Sequence, residues 1–283
     1  MLINIKILVI IIICINLTEK FVAIIQARME STRFPNKVLS LIDDQPLLFY
    51  VIRQTLASKV IDDVIVATST KQSDDKIVEF CKKNNINYFR GSETNVLDRY
   101  YQCAKKFHFD TIIRITADCP LVDPSIINSV FKKFKENDFD YISTTIEFKN
   151  HKWVDSSCNF PPGLAVEIAK FSALEQAWKE AKKPSEIEHV FPYVQFNPEK
   201  FKLGNFVNSS NLSNIRCTVD YPEDLIFVKE VYSRIPKEKQ FVTMNDIVNI
   251  IEKNPELLTI NNSYAFDEGI QKSYKEDKEK GYS

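Results

Sequence analysis

The chain has 283 residues, 44% of them hydrophobic and 27% charged, a balance that excludes general disorder and, at this length, buries about three quarters of the unfolded surface in one large domain or two small ones. Its 37 basic and 38 acidic side chains leave a net charge of -1, which excludes the clustered cationic footprint of a nucleic-acid-binding protein. Six cysteines without a Cys-x-x-Cys pair and three histidines speak against a zinc site and a secreted disulfide scaffold, and point to reduced, mostly buried thiols in a cytoplasmic protein.

Residues 1–20 are an apolar extension whose unbroken run is Ile7 to Ile15. The run falls short of the about 20 residues of a membrane-spanning helix, and no small-residue cleavage site of a signal peptide follows it. Three readings stand: an artefactual extension upstream of the true start, which we prefer, a marginal membrane anchor, or a poor signal peptide. Read as an anchor, it has Lys20, Arg28, Arg33 and Lys37 on its C-terminal side, which leaves the folded part in the cytoplasm. A membrane is a partner only on that reading.

From Phe21 short β-rich runs alternate with amphipathic segments. "FVAIIQA" (21–27), "DVIVATS" (63–69), "INYF" (86–89) and "TIIRIT" (111–116) have the length and branched content of strands. Between them 46–58, 73–84 and 95–107 carry helical spacing, with starts at Ser73 and Thr94 for the last two. This order predicts an α/β fold, a mostly parallel sheet covered on both faces, with ligands beyond the carboxyl ends of its strands. After Tyr141 the pattern loosens, and 141–215 reads as an insertion within a single domain spanning 21–266. "LAVEIA" predicts a strand, 171–182 and 185–195 helices, "IRCTVD" (215–220) a returning strand, and "YPEDLIFVKEVYSRI" and "TMNDIVNIIEKN" two further helices. Residues 267–283 are expected to be a charged, aperiodic, mobile tail.

The loop after the first strand, "AIIQARMESTRFPNKVL", gathers Arg28, Ser31, Arg33 and Lys37 within ten residues. Forked guanidinium donors and a compact ammonium suit a highly charged anion, a triphosphate above all. Neither G-x-x-x-x-G-K-[ST] nor G-x-G-x-x-G is present, and the chain holds five glycines, which disfavours a P-loop ATPase or a dinucleotide enzyme. The plain alternative is a solvated basic loop. Asp118 and Asp220 each stand at the carboxyl end of an expected strand, and a pair of carboxylates with phosphate oxygens and waters suits Mg²⁺. Helix capping is the other reading for Asp220, and the preferred one for Asp123 ahead of Pro124. Arg99 is balanced between a ligand contact and a surface pair with Asp98 or Glu93.

The loop resembles the R-x-x-S-x-R-x-P-x-K signature of the sugar-acid cytidylyltransferases, the CMP-KDO and CMP-sialate synthetase superfamily, with its nearest likeness in the SpsF-like branch of spore-coat polysaccharide synthesis. "IDDVIVATS", "YFRGSETNVLDRYYQCAK", "RITADCPLVDP", "EHVFPY", "RCTVDYPEDL" and "DEGIQKSYKEDK" continue the likeness over about residues 21–280. The resemblance implies a three-layer α/β/α nucleotide-diphospho-sugar transferase fold and a Mg²⁺-dependent transfer of CMP from CTP to an acidic sugar, with pyrophosphate released. It implies nucleotide contacts at Gln26, Ala27, Arg28, Ser31, Arg33 and Lys37, a base edge read near Ala67, Thr68 and Ser69, and further contacts at Arg90, Gly91 and Ser92. Asp118 and Asp220 take the metal; Arg28, Lys37 and Asp118 are the catalytic candidates; Arg114, Glu167, Arg216 and Arg90 are candidates for the acceptor. A homodimer through 141–215 is implied by the resemblance alone. The chain departs from the branch's pattern where glycine is usual, at Glu30, Asn36 and Ala117, and on the acceptor side at Pro162, Ala165 and Ile187. A UTP- or GTP-using nucleotidyltransferase, a glycosyltransferase on the same fold, and a non-catalytic nucleotide-binding component remain the rival readings.

Overall fold

The computed structural model describes residues 20–145, 147–149, 152–154, 159–264 and 268–282. The extension before Lys20, and with it the choice among its three readings, lies outside the described residues. In chain order the described strands are β1 (Val22–Gln26), β2 (Leu41–Ile42), β3 (Gln45–Pro46), β4 (Asp63–Ser69), β5 (Asn87–Gly91), β6 (Thr111–Thr116), β7 (Tyr141–Ser143), β8 (Glu147–Lys149), β9 (Lys152–Val154), β10 (Glu167–Lys170) and β11 (Leu203–Asn205). The helices are α1 (Leu47–Leu56), α2 (Asp75–Lys83), α3 (Val96–Phe107), α4 (Pro124–Asn137), α5 (Phe171–Glu180), α6 (Pro184–His189), α7 (Pro192–Gln195), α8 (Pro222–Ser233), α9 (Met244–Lys253) and α10 (Glu268–Glu279).

Seven strands form one sheet in the order β11-β7-β10-β6-β1-β4-β5. β1 pairs in parallel with both β4 and β6, β4 with β5, and β7 with β11, while β10 runs antiparallel to both of its neighbours. Strand residues alternate between faces, and here both faces are apolar. Ala23, Ile25, Val64, Val66, Ile113 and Ile115 join α1, α4, α8 and α9 in one core, and Val22, Ile24, Ile65 and Ile112 join α3 and α5 in another. The result is a three-layer sandwich. From β1 the chain moves outward through β4 and β5, then returns to the other side of β1 for β6, so the crevice where strand order reverses opens at the carboxyl ends of β1 and β6.

Local chemistry sets the boundaries. Asn95, not Thr94, caps α3, its side chain accepting from Asp98 N at 2.7 Å. Asp123 caps α4 through Ser125 N at 2.7 Å, so the capping reading of that aspartate holds. The expected helix 185–195 divides into α6 and α7 because Val190 adopts φ 74°, ψ -55°, with Phe191 N donating to His189 O at 2.9 Å across it; this is a tight γ-turn, strained for a β-branched residue. Two further expectations are corrected. Residues 215–220 are not a strand: their amides bond singly to loops, Cys217 N to Pro162 O at 2.6 Å and Val219 N to Asp118 O at 2.8 Å, with no ladder. Nor is the tail a mobile coil, because 268–279 is the helix α10, anchored where Asp277 accepts from Ser185 N at 3.0 Å and from the Ser185 hydroxyl.

Gln54 shows how the helical layer is fixed. It is fully buried, donates to the carbonyls of Val122 and Val242 at 2.8 and 2.7 Å, and accepts from Val242 N at 2.8 Å. Gln54→Leu keeps the volume but leaves those backbone groups without partners, so it is expected to cost about 3 kcal/mol and lower the melting temperature by about 6 °C. Thermal unfolding followed by circular dichroism measures it, and an unchanged melting temperature contradicts it.

Candidate active site

The loop after β1 is folded back on itself before any ligand is considered. Asn36 N donates to Met29 O at 2.9 Å, and Asn36 itself sits at φ 62°. Asparagine tolerates this left-handed conformation better than other side chains, which accounts for its standing where the family pattern has glycine. Asp74, almost fully buried, accepts from Met29 N at 2.7 Å and from Ser69 N and Oγ at 3.1 and 2.5 Å, tying the end of β4 to the loop. Glu30 does not confront a bound anion alone: Lys71 takes its charge at 2.5 Å, and Lys71 also holds Glu93 at 2.8 Å.

The loop delivers Lys37 into a buried position between the two aspartates. Its Nζ donates to Asp118 Oδ2 at 3.0 Å, Asp220 Oδ1 at 2.8 Å and Val219 O at 2.8 Å, which satisfies all three ammonium donors. Burial opposes the charge on Lys37, but Asp118 and Asp220 outweigh it and raise the lysine's pKa above its ordinary value. Burial likewise opposes the Asp118 carboxylate, and Lys37 together with the Thr116 hydroxyl at 2.6 Å holds its pKa well below the usual carboxylate range. Asp220 also meets Arg33 at 2.6 Å and Arg216 at 3.3 Å. Gly163 lets this edge close: at φ 101° a Cβ there would lie 2.4 Å from Cys217 C, so only glycine fits against the segment carrying Asp220.

Around this cluster lies a cleft of about 1070 Å³ whose walls include Arg28, Ser31, Arg33, Lys37, Asp118 and Asp220. Its size accommodates a nucleotide with a second substrate. Arg28 is half-exposed and pairs with Glu188 at 3.0 Å. Gln26, Ala27 and Arg114 line the cleft as well. Arg114 is committed internally, to Glu167 and, from Nε and Nη2, to Gln26 Oε1 at 3.3 and 3.1 Å; Tyr141 donates to Glu167 at 2.6 Å. Arg216 is buried against Asp224 at 2.8 Å. Ala67, Thr68 and Ser69 end β4, Arg90 and Gly91 end β5 and Ser92 follows it, and none of the six belongs to the described lining of the cleft. Arg90 clamps that edge, donating to Ser69 O, Asp75 and Lys71 O at 2.8, 2.6 and 2.8 Å.

Among the described residues no group of three or more His, Cys, Asp or Glu side chains gathers as a metal cluster. Asp118 and Asp220 nevertheless converge on one cation position, that of Lys37 Nζ. Two hard oxygen donors suit magnesium, and because the lysine ammonium fills the point between them, the pair would hold a metal only once Lys37 Nζ withdraws.

Sequence reasoning missed the wall supplied by α10 and the residues after it, where Lys272, Lys280 and Tyr282 face the cleft. Glu268 reaches Tyr221 Oη at 2.6 Å and Arg33 at 3.5 Å. The signal was present as four-residue Lys–Glu spacings, Lys272–Glu276 and Lys275–Glu279, which support an exposed helix. No helix among the described residues is long and apolar enough to cross a membrane.

The family model described as Cytidylyltransferase matches residues 22–248. An uncharacterized protein of Methanocaldococcus jannaschii is 37% identical over 264 residues, covering 92% of this chain and all of its own. The spore coat polysaccharide biosynthesis protein SpsF of Bacillus subtilis is 29% identical over 83% of this chain and 95% of its own. The solved structure of a cytidylyltransferase from Leptospira borgpetersenii superposes with a TM-score of 0.76 at 32% identity, covering 87% of this chain and all of that one.

His189 yields a pH test of the α10 wall. Its Nε2 lies 3.0 Å from Ser273 Oγ, and burial, reinforced by repulsion from Arg114, lowers its pKa from 6.5 to about 4. The folded state therefore favours the neutral ring, and the unfolded state binds the extra proton between those values. This contribution to stability is complete above pH 6.5 and is lost as pH falls towards 4. The drop in melting temperature between pH 7 and pH 4.5 is expected to be smaller in His189→Gln than in the wild type, and equal drops contradict the assignment.

Proposed function

The chain belongs to the cytidylyltransferase family and is a nucleotidyltransferase of CTP and sugar chemistry; from that premise we propose that it transfers CMP from CTP to an acidic sugar, releasing pyrophosphate, in surface polysaccharide synthesis. The observation that carries this reading is the Lys37 ammonium, held between Asp118 and Asp220 at the floor of a cleft edged by Arg28, Ser31 and Arg33. A triphosphate needs several fixed cations, and those residues supply them from one preorganised loop. The spore coat relative's printed role supports the polysaccharide setting.

The acceptor hydroxyl oxygen attacks the α-phosphorus in line, the bond to the β-phosphate breaks, and the hydroxyl proton passes to solvent. Arg28 and Arg33 bind the β- and γ-phosphates and stabilise the charge that grows on the departing pyrophosphate, and Lys37 joins them once its ammonium leaves the two aspartates that hold it in the free protein. Asp118 and Asp220 would hold magnesium, which when bound supplies Lewis-acid stabilisation of phosphoryl oxygens and acidifies an adjacent hydroxyl. Gln26, locked through its Oε1 by Arg114, keeps its amide N–H groups as donors for the acceptor side. The charge of Arg114 is already matched by Glu167, so this arginine fixes the wall and the acceptor's acid group needs another cation.

Pyrophosphate release tests the reading, with CTP, UTP, GTP and ATP each offered together with a panel of 2-keto-3-deoxy and nonulosonic acids. CTP with one acid is expected to support turnover, and Asp118→Asn to lower kcat by about 10²- to 10³-fold. Release with no combination, or an Asp118→Asn variant as fast as the wild type, overturns it.

A further inference from the structure

Most cations around the cleft already have an acidic partner: Arg28 has Glu188, Arg33 and Lys37 have Asp220, and Arg114 has Glu167. Arg99 is different. It stands one turn into α3, lines the cleft beside Thr94 and Val96, and is only 1% exposed. No carboxylate forms an ion pair with it among the described residues. Its described hydrogen bond runs from Nη1 to the Ser92 carbonyl at 2.7 Å, and its buried Nε has no partner. The sequence alternatives of a surface pair with Asp98 or Glu93 fall away, because Asp98 takes Gln102 and Trp178 and Glu93 takes Lys71.

The placement is built rather than incidental. A Cβ on Gly91 would lie 2.9 Å from Phe89 Cε1 and 3.0 Å from Arg99 Cγ, so the bare backbone of β5 is what admits the arginine stem. A buried guanidinium whose described hydrogen bond is to a carbonyl, with the carboxylates of Glu188 and Asp74 acting on it only from beyond ion-pair distance, is unfavourable in the free protein. The amino end of α3, which favours negative charge, opens on the same cleft.

We propose that Arg99 is an anion subsite of this cleft, where its guanidinium and the amino end of α3 receive a carboxylate or phosphate oxygen brought by substrate. The proposal deepens the nucleotidyltransferase reading and rests on it. Two parts of the reaction carry such an oxygen, the triphosphate and the acid group of the acceptor.

Arg99→Met removes the charge at nearly constant volume, and Arg99→Lys restores it without the fork. Calorimetric titration with CTP and with inorganic pyrophosphate reads the triphosphate arm; the KM of the acid found in the pyrophosphate assay reads the acceptor arm. Arg99→Met is expected to lose tenfold or more on one arm, with Arg99→Lys between it and the wild type, while the ligand-free melting temperature stays equal or rises. A loss in CTP and pyrophosphate affinity assigns the subsite to phosphate, and a rise in acceptor KM with CTP affinity intact assigns it to the carboxylate. Unchanged binding on both arms overturns the proposal. So does an Arg99→Met chain that fails to fold, because a cation that waits for an anion is not needed for folding. Should the wild type bind pyrophosphate through Arg99 but not CTP, the nucleotide reading fails and the subsite stands.

Discussion

Lys37 brings together two segments that are distant in sequence, because one ammonium has three protons to donate and Asp118, Val219 and Asp220 supply the acceptors. Partly buried as it is, Asp118 would not remain ionised at low cost without the cation beside it. The constraint spreads outward from there. The β1 loop must turn through Asn36 to deliver the lysine, and 215–220 must lie against the end of β6 without joining a ladder. Gly163 must lack a side chain so that this segment can close. The same charge arrangement gives the cleft its chemistry: cations held ready by carboxylates are also cations that a more highly charged ligand can take over.

Much of the fold was legible because parallel strands buried on both faces must be apolar nearly throughout. β4 and β6 coincide with "DVIVATS" and "TIIRIT", and the loops after β1 and β6, singled out by their position in the sequence, line one cleft. The failures have a common origin in tertiary context. "IRCTVD" has strand composition, but its amides find single partners in the loops at Pro162 and Asp118. The tail has too little apolar residue to promise a helix, yet Ser273 and Asp277 are buried on it through polar contacts to His189 and Ser185. Val190 divides one expected helix because a γ-turn followed by Pro192 ends the hydrogen-bond series.

Side-chain partnership was the least legible level. Arg90, Arg114 and Arg216 read alike in sequence as cations near a site, and each is committed to an internal acid. Arg99, which sequence left balanced, is the one of this group without an acidic partner among the described residues. The departures at Glu30 and Asn36 also resolve by context. Lys71 holds the glutamate, and a left-handed backbone position accepts the asparagine.

The most direct test of the account is an experimental structure of the protein with Mg²⁺ and an unreactive CTP analogue. The account predicts the triphosphate against Arg28, Ser31, Arg33 and Lys37, with the metal held by Asp118 and Asp220. A nucleotide seated elsewhere, with Lys37 still bridging the two aspartates, would contradict it.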